Sequence, residues 1–333
     1  NCDFKSVIKI IGKHRILLVF IFLSHIFSYD AYIGYSGSHF EVNDVNKVVQ
    51  IYYSIFQSFH NALSEAGGAI LVDNTEFTIQ FGFLGFSDCS TSSHSGAFFL
   101  SGRLITIDHV CAYKCEAINN NGQFFVIHNV DKKVTNSINF ITAVCCGMEN
   151  RGHSSMIISG DTNYALTYIN STHNYNHLND KSYGTCLRTS DSYSNINLQY
   201  FNFLDSTGVD IINTNYIPIG VIEQGNFYNC STTYVFKYRG NITILNSFFG
   251  NLVHSQSYFE YGGPNWQATH LTVLNCRFDV KPPNLDASNL EENPIRTTQI
   301  IGHENLDNCP IASDRFTRSD DFTSSAVFSS SSE

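Results

Sequence analysis

One unit recurs along this chain and restricts its fold more than any other feature. It consists of alternating apolar residues, a short polar gap, and an aromatic residue closely followed by Asn or Asp. Copies include Phe77-Thr78-Ile79-Gln80-Phe81 before Phe86-Ser87-Asp88, and Ile196-Asn197-Leu198 before Phe203-Leu204-Asp205. Two more are Ile219-Gly220-Val221 before Phe227-Tyr228-Asn229, and Ile242-Thr243-Ile244 before Phe249-Gly250-Asn251. Taking Phe59, Phe86, Tyr113, Phe140, Tyr168, Phe203, Phe227, Phe249 and Phe278 as anchors gives steps of 27, 27, 27, 28, 35, 24, 22 and 29 residues. A period in this range is the mark of a stacked repeat. Between anchors, Gly67-Gly68-Ala69-Ile70-Leu71, Gly96-Ala97-Phe98-Phe99-Leu100 and Gly122-Gln123-Phe124-Phe125-Val126 read as a second strand of the same unit.

The predicted architecture is all-β: a right-handed parallel β-helix solenoid of about eight to nine coils, with three short strands per coil. Each strand would pair in parallel with its equivalent one coil away, at about 4.8 Å. Alternation then sends Ile, Val and Phe inward and Thr, Asn and Gln outward. Asn or Asp at each bend tolerates left-handed backbone, which predicts a turn ladder of Asn61, Asp88, Asn170, Asp205, Asn229 and Asn251. A leucine-rich repeat would need L-x-x-L-x-L-x-x-N, whereas this unit is led by Ile and Phe. A β-sandwich would show closer hairpin signals, and Asn121-Gly122 is the one such dipeptide.

The repeat also divides the chain. Residues 1–29 carry Lys5, Lys9, Lys13 and Arg15 before the apolar run Ile16–Leu23, the pattern of a signal peptide or signal anchor. Residues 30–66 are expected to form an N-terminal cap and first coil, with helical character from Asp44 to Ala62. Residues 67–280 form the β-helix. Residues 281–333 follow as an irregular segment and a Ser/Phe-rich low-complexity stalk. Any C-terminal membrane anchor is expected beyond Glu333.

Composition agrees with strands and turns, since charged residues are 14%, aromatics 14% and Asn about a tenth. The net charge of -10 gives no footprint for nucleic acid or anionic membrane. The ten cysteines have no zinc-module spacing, leaving disulfides of an oxidising compartment or stacked buried thiols as alternatives. No metal or cofactor is expected.

Gly67-Gly68-Ala69-Ile70, together with Phe248-Phe249-Gly250-Asn251, Phe227-Tyr228-Asn229-Cys230 and Phe86-Ser87-Asp88-Cys89, resembles the polymorphic outer membrane protein repeats. Those repeats pair G-G-A-[ILV] with F-x-x-N on a β-helix. The chain looks most like the trichomonad-type families of β-helix surface proteins, in which the same grammar precedes a Phe/Ser-rich stalk. The resemblance implies surface display, adhesion or antigenic variation, and it carries over no catalytic residue.

β-Helices also include polysaccharide lyases and hydrolases, whose chemistry needs paired carboxylates. The only Asp-Asp is Asp320-Asp321 in the tail, and no G-H-G turn occurs. Asp205, Asp210, Asp191 and Arg188 make the best acidic and basic cluster, and they read as solvated turn residues. The long step from Tyr168 to Phe203 holds an aromatic, polar loop, in which His173, Tyr175 and His177 are candidate binding residues. Asn170, Asn229 and Asn241 begin N-x-[ST] sequons and are glycosylation candidates. The expected function is therefore that of a non-catalytic, secreted or cell-surface β-helix contacting glycans or a host-cell surface. The alternative is a carbohydrate-active β-helix.

Overall fold

The computed structural model describes residues 30–33, 40–41, 48–61, 66–118, 122–129, 131–147, 154–175, 184–190, 195–214, 219–261 and 270–280. Signal segment and stalk lie outside them. The described chain is all-β, a parallel β-solenoid of about seven turns against the eight to nine coils expected. The long sheet runs from Asp30–Ile33 through Val48–Gln57, Thr78–Ser87, Leu104–Tyr113, Thr135–Val144, Asn163–Thr172, Asn195–Leu204 and Ile219–Tyr228 to Leu271–Leu274. A second sheet of nine strands runs from Phe40–Glu41 to Val253–Tyr261. Among the described residues, a third sheet has three strands of two residues, His60–Asn61, Ser90–Thr91 and Glu116–Ala117. In the long and third sheets, neighbouring strands are parallel and one coil apart.

Each long strand bends at its sixth residue. Tyr53, Phe83, His109, Phe140, Tyr168, Tyr200 and Gln224 all have φ between 52 and 58°. Five residues later a second left-handed bend follows, at Ser58, Asp88, Lys114, Cys145, His173, Asp205, Asn229 and Asn251. Left-handed backbone costs an L-residue roughly 1–2 kcal/mol, because Cβ crowds the next carbonyl. At the first bend, stacking offsets that cost. Six rings from Tyr53 to Tyr200 lie face to face outside the core, with centroids 5.0, 4.6, 4.4, 4.6 and 5.0 Å apart.

The register corrects the anchors. The inward column is Phe56, Phe86, Ala112, Ala143, Ser171, Phe203, Phe227, Phe249 and Phe278. Phe140 and Tyr168 belong to the outer aromatic ladder, Phe59 lies three residues past the column, and Tyr113 one. The expected column was thus a splice of an inner and an outer one. The inner column narrows at Ala112, Ala143 and Ser171, and the second sheet and the residue before its strand bring further rings into the core. Phe98 and Phe124 approach Phe86 at 5.3 and 6.4 Å, and Phe98 stacks on Phe125 at 5.2 Å. Burial of these rings is the main stabilising term in the tube.

The expected helical character between Asp44 and Ala62 is also overturned, because Val48–Gln57 is a strand. Val48 and Val49 alternate exposed and buried there, and β-branched residues favour a paired, half-buried strand over a helix. Gly68 lies where the next coil passes close. A Cβ there would sit 1.9 Å from the Gly96 carbonyl oxygen, so only glycine fits.

Cys89, Cys115, Cys146 and Cys230 occupy successive inward positions just after the second bend, with Asn174 and Ser206 between Cys146 and Cys230. Of the two cysteine alternatives, stacking of buried thiols is what the core uses: Cys89, Cys115, Cys146, Cys186, Cys230 and Cys276 are buried free thiols. Cys111 is disulfide-bonded.

Candidate functional site

The second bend divides into two chemically different halves. Toward the C-terminus it is the expected turn ladder: the Asn229 amide donates to Asp205, and the Asn251 amide donates to the Asn229 oxygen at 2.7 Å. Asp88 shares this column further toward the N-terminus. Asn61 and Asn170 do not. Asn61 is buried in the third sheet, where its amide reaches the Gly67 carbonyl at 3.5 Å. Asn170 belongs to a parallel ladder between the two bends, with Asn202 donating to it at 2.8 Å and Asn226 donating to Asn202 at 2.7 Å. Both departures have one cause. An Asn three residues off the second bend meets a different column of neighbours.

Toward the N-terminus, the second bend and the third sheet border a groove of about 430 Å³. Its walls include His60, Asp88, Ser90, Lys114, Glu116, Cys145 and Tyr175. The two-residue strands make it. They place outward side chains at His60, Ser90 and Glu116 in consecutive coils, beside the bend residues Asp88, Lys114 and Cys145. His60 Nδ1 lies 2.7 Å from Ser90 Oγ, and Lys114 Nζ lies 5.1 Å from the centre of the Tyr113 ring. Cys145 is half-buried. Burial raises its thiol pKa above the ordinary value, with Cys146 adding to the rise and Lys114 opposing it.

The candidate binding residues fall on this edge in part. Tyr175 lines the groove and makes a parallel bridge to Thr207. His173 is the bend residue of its coil, with Nδ1 2.9 Å from Thr172 Oγ1. His177 lies outside the described residues. Asp88 was expected only as a turn residue, and His60, Ser90, Lys114, Glu116 and Cys145 were missed in the sequence, although their signal was present, because each stands at the second bend or two residues beyond it.

The cluster of Asp205, Asp210, Asp191 and Arg188 separates. Asp205 is committed to the turn ladder, and Asp191 lies outside the described residues. Asp210 is fully buried in the second sheet rather than a solvated turn residue. Its Oδ2 accepts from Asn213 at 2.7 Å, while Oδ1 is buried without a hydrogen-bond partner among the described residues. Register places Tyr234 beside Asp210, and Arg188, Lys237 and Glu260 in the column of Asn213. Lys237 pairs with Glu260 at 3.0 Å. Burial pushes the Asp210 carboxyl up to about 7, with Lys237 and Asn213 opposing and Glu260 adding. A carboxyl closed from solvent in this way cannot touch a substrate.

Comparison of the chain with protein-family models, with curated proteins and with solved structures finds no match.

Proposed function

We propose that this protein is a non-catalytic β-helix, secreted or displayed at a cell surface, that binds glycans in the groove beside the second bend. The observation that carries the reading is the composition of that groove. Tyr175 supplies an apolar ring, His60 and Ser90 supply neutral polar groups, and Asp88, Glu116 and Lys114 supply charged hydrogen-bond partners across consecutive coils. Sugars present both C–H faces and hydroxyls, and sites that hold them combine apolar surface with a few converging polar groups. The coil repeat offers such groups every 4.8 Å or so along the groove, which suits an extended polymer. The Gly-Gly-Ala-Ile and Phe-x-x-Asn grammar shared with the polymorphic outer membrane protein repeats supports surface display, as does the basic and apolar pattern of residues 1–29.

A second reading has one observation in its favour. Asp88 and Glu116 are two carboxylates lining one groove, the minimum a glycosidase needs. Both readings are tested together on the full chain, by a glycan array beside a polysaccharide-degradation assay. The binding reading expects retention of at least one glycan class without cleavage. It also expects Tyr175→Ala and Lys114→Ala to weaken retention by about tenfold each, as for central contact residues. Loss of neither affinity on substitution would remove the groove from the reading. Cleavage abolished by Asp88→Asn or Glu116→Gln would replace it with the enzymatic one.

A further inference from the structure

The three sequons differ in what the fold has already done with their amides, and the difference selects one of them. Asn229 sits at a left-handed bend with its side chain held on both sides: Nδ2 donates to Asp205, and Oδ1 accepts from Asn251 at 2.7 Å. Its backbone N–H is also spent, on the Gly250 carbonyl at 3.1 Å. Asn170 is half-buried and accepts from Asn202 at 2.8 Å. Its neighbours along the column, Thr142 and Asn202, are 3% and 2% exposed, so a bulky substituent has no way out between them.

Asn241 is placed differently. It is exposed at the start of the strand Asn241–Leu245, and strand alternation puts Thr243, the hydroxyl residue of its sequon, on the same outer face. Its Oδ1 accepts from the His270 backbone N–H at 3.3 Å. Its Nδ2 has no partner among the described residues. In the preceding coil, Ile219 is 55% exposed, so the surface beside Asn241 is open.

We propose that Asn241 is an N-glycosylation site of this protein, and that Asn170 and Asn229 stay unmodified in the folded molecule. In the transfer, Asn241 Nδ2 forms a bond to the anomeric carbon of an oligosaccharide carried on a lipid pyrophosphate. The bond from that carbon to the pyrophosphate oxygen breaks, the pyrophosphate leaves with the electron pair, and Nδ2 loses one proton. The His270 contact survives, because it uses the amide oxygen. The glycan then stands on the outer face of the long sheet, in the coil whose second bend is Asn251. That is three coils beyond the bend of His173 and clear of the groove.

The inference rests on the export reading, so the experiment supplies export itself. The full chain is expressed behind an added signal sequence in a eukaryotic secretory host. Folded, secreted protein is treated with an amidase that releases N-glycans in heavy-oxygen water, and the resulting Asn-to-Asp conversions are mapped by mass spectrometry. Conversion at Asn241 alone is expected. Thr243→Ala should abolish it while leaving secretion intact, because that change spares both the Asn241 side chain and its His270 contact. Conversion at Asn170 or Asn229, or an unconverted Asn241 in secreted protein, overturns the proposal. Native export is scored separately by locating the untagged protein in its own cell, and groove binding by glycan retention after deglycosylation. Failure of either reading is therefore distinguishable from failure of the site.

Discussion

Replacing Asp210 with Asn should make the folded protein more stable at neutral pH and change little in acid. Asp210 is fully buried in the second sheet, and its carboxyl is raised from an ordinary 3.8 to about 7. Between those values the folded chain keeps a proton that the unfolded chain has released. The contribution of this carboxyl to stability is therefore fully present below about pH 4, falls as pH rises, and is lost once pH passes about 7. A shift of about 3 units corresponds to about 4 kcal/mol at 1.36 kcal/mol per unit. Asn keeps the shape and the neutral charge of the protonated acid, so Asp210→Asn should match wild type at pH 4 and exceed it by a few kcal/mol at pH 8. The titratable and charged groups around the site are the Lys237–Glu260 pair at 3.0 Å, the neutral phenol of Tyr234 and Arg188, none of which the substitution removes. Burial depresses the pKa of His94, which makes that residue stabilise with rising pH, so the difference between variant and wild type is the quantity to follow. The assay is the urea midpoint measured from pH 4 to pH 8. Parallel curves for the two proteins, or a variant less stable at pH 8, would refute the assignment of Asp210 as a buried acid that costs stability when it ionises.

The outer ladder gives a second expectation. Phe140→Ala loses stacks with His109 and Tyr168 at 4.4 and 4.6 Å, a cost of about 1–3 kcal/mol, and leaves a Cβ at φ 52°. Phe140→Gly relieves the backbone and should recover about 1 kcal/mol of that loss in the urea midpoint, and a Gly variant no better than Ala would deny any strain at the bend. Gly68→Ala drives a methyl to within 1.9 Å of a carbonyl oxygen and should abolish the parallel-sheet circular dichroism signal at 25 °C, while an unchanged spectrum would mean that the coils can part there. In native protein under mild alkylation, Cys145 should label while Cys89, Cys115, Cys146, Cys186 and Cys230 label only after unfolding, because of these only Cys145 reaches solvent, and burial further raises the thiol pKa of Cys115, Cys186 and Cys230. Mass mapping of the adducts decides it.

The sequence displayed the period, the parallel stacking and the second strand of each coil, because inward Ile, Val and Phe must recur at one place per coil. It did not display which aromatic belongs to which column. Phe140 and Tyr168 are as apolar as Phe203 and Phe227, yet they stand outside the core, and a hydrophobic pattern cannot separate an inner ring from an outer one that is stacked on both faces. The inner column meanwhile vanishes from view at Ala112, Ala143 and Ser171, while Phe98, Phe124 and Phe125 bring further rings into the same core beside Phe86. Asp210 was similarly opaque. Its burial depends on residues 24 and more positions away, on strands whose register only the folded chain reveals.

That register gives the groove its strongest support. A solenoid left to structural needs alone would repeat the arrangement of Asp205, Asn229 and Asn251 at every second bend, since side chains that bond one another along the column satisfy a left-handed turn at little cost. The N-terminal half departs from it. Lys114, Cys145 and His173 carry the same positive φ without an Asn or Asp to ease it, and these are coils that line the groove, through Lys114, Cys145 and, two residues past His173, Tyr175. Backbone strain kept in these coils and relieved elsewhere is the pattern of a surface where side-chain chemistry matters more than turn stability. It follows that Lys114→Asn and Cys145→Asn should stabilise the fold while weakening any ligand held in the groove.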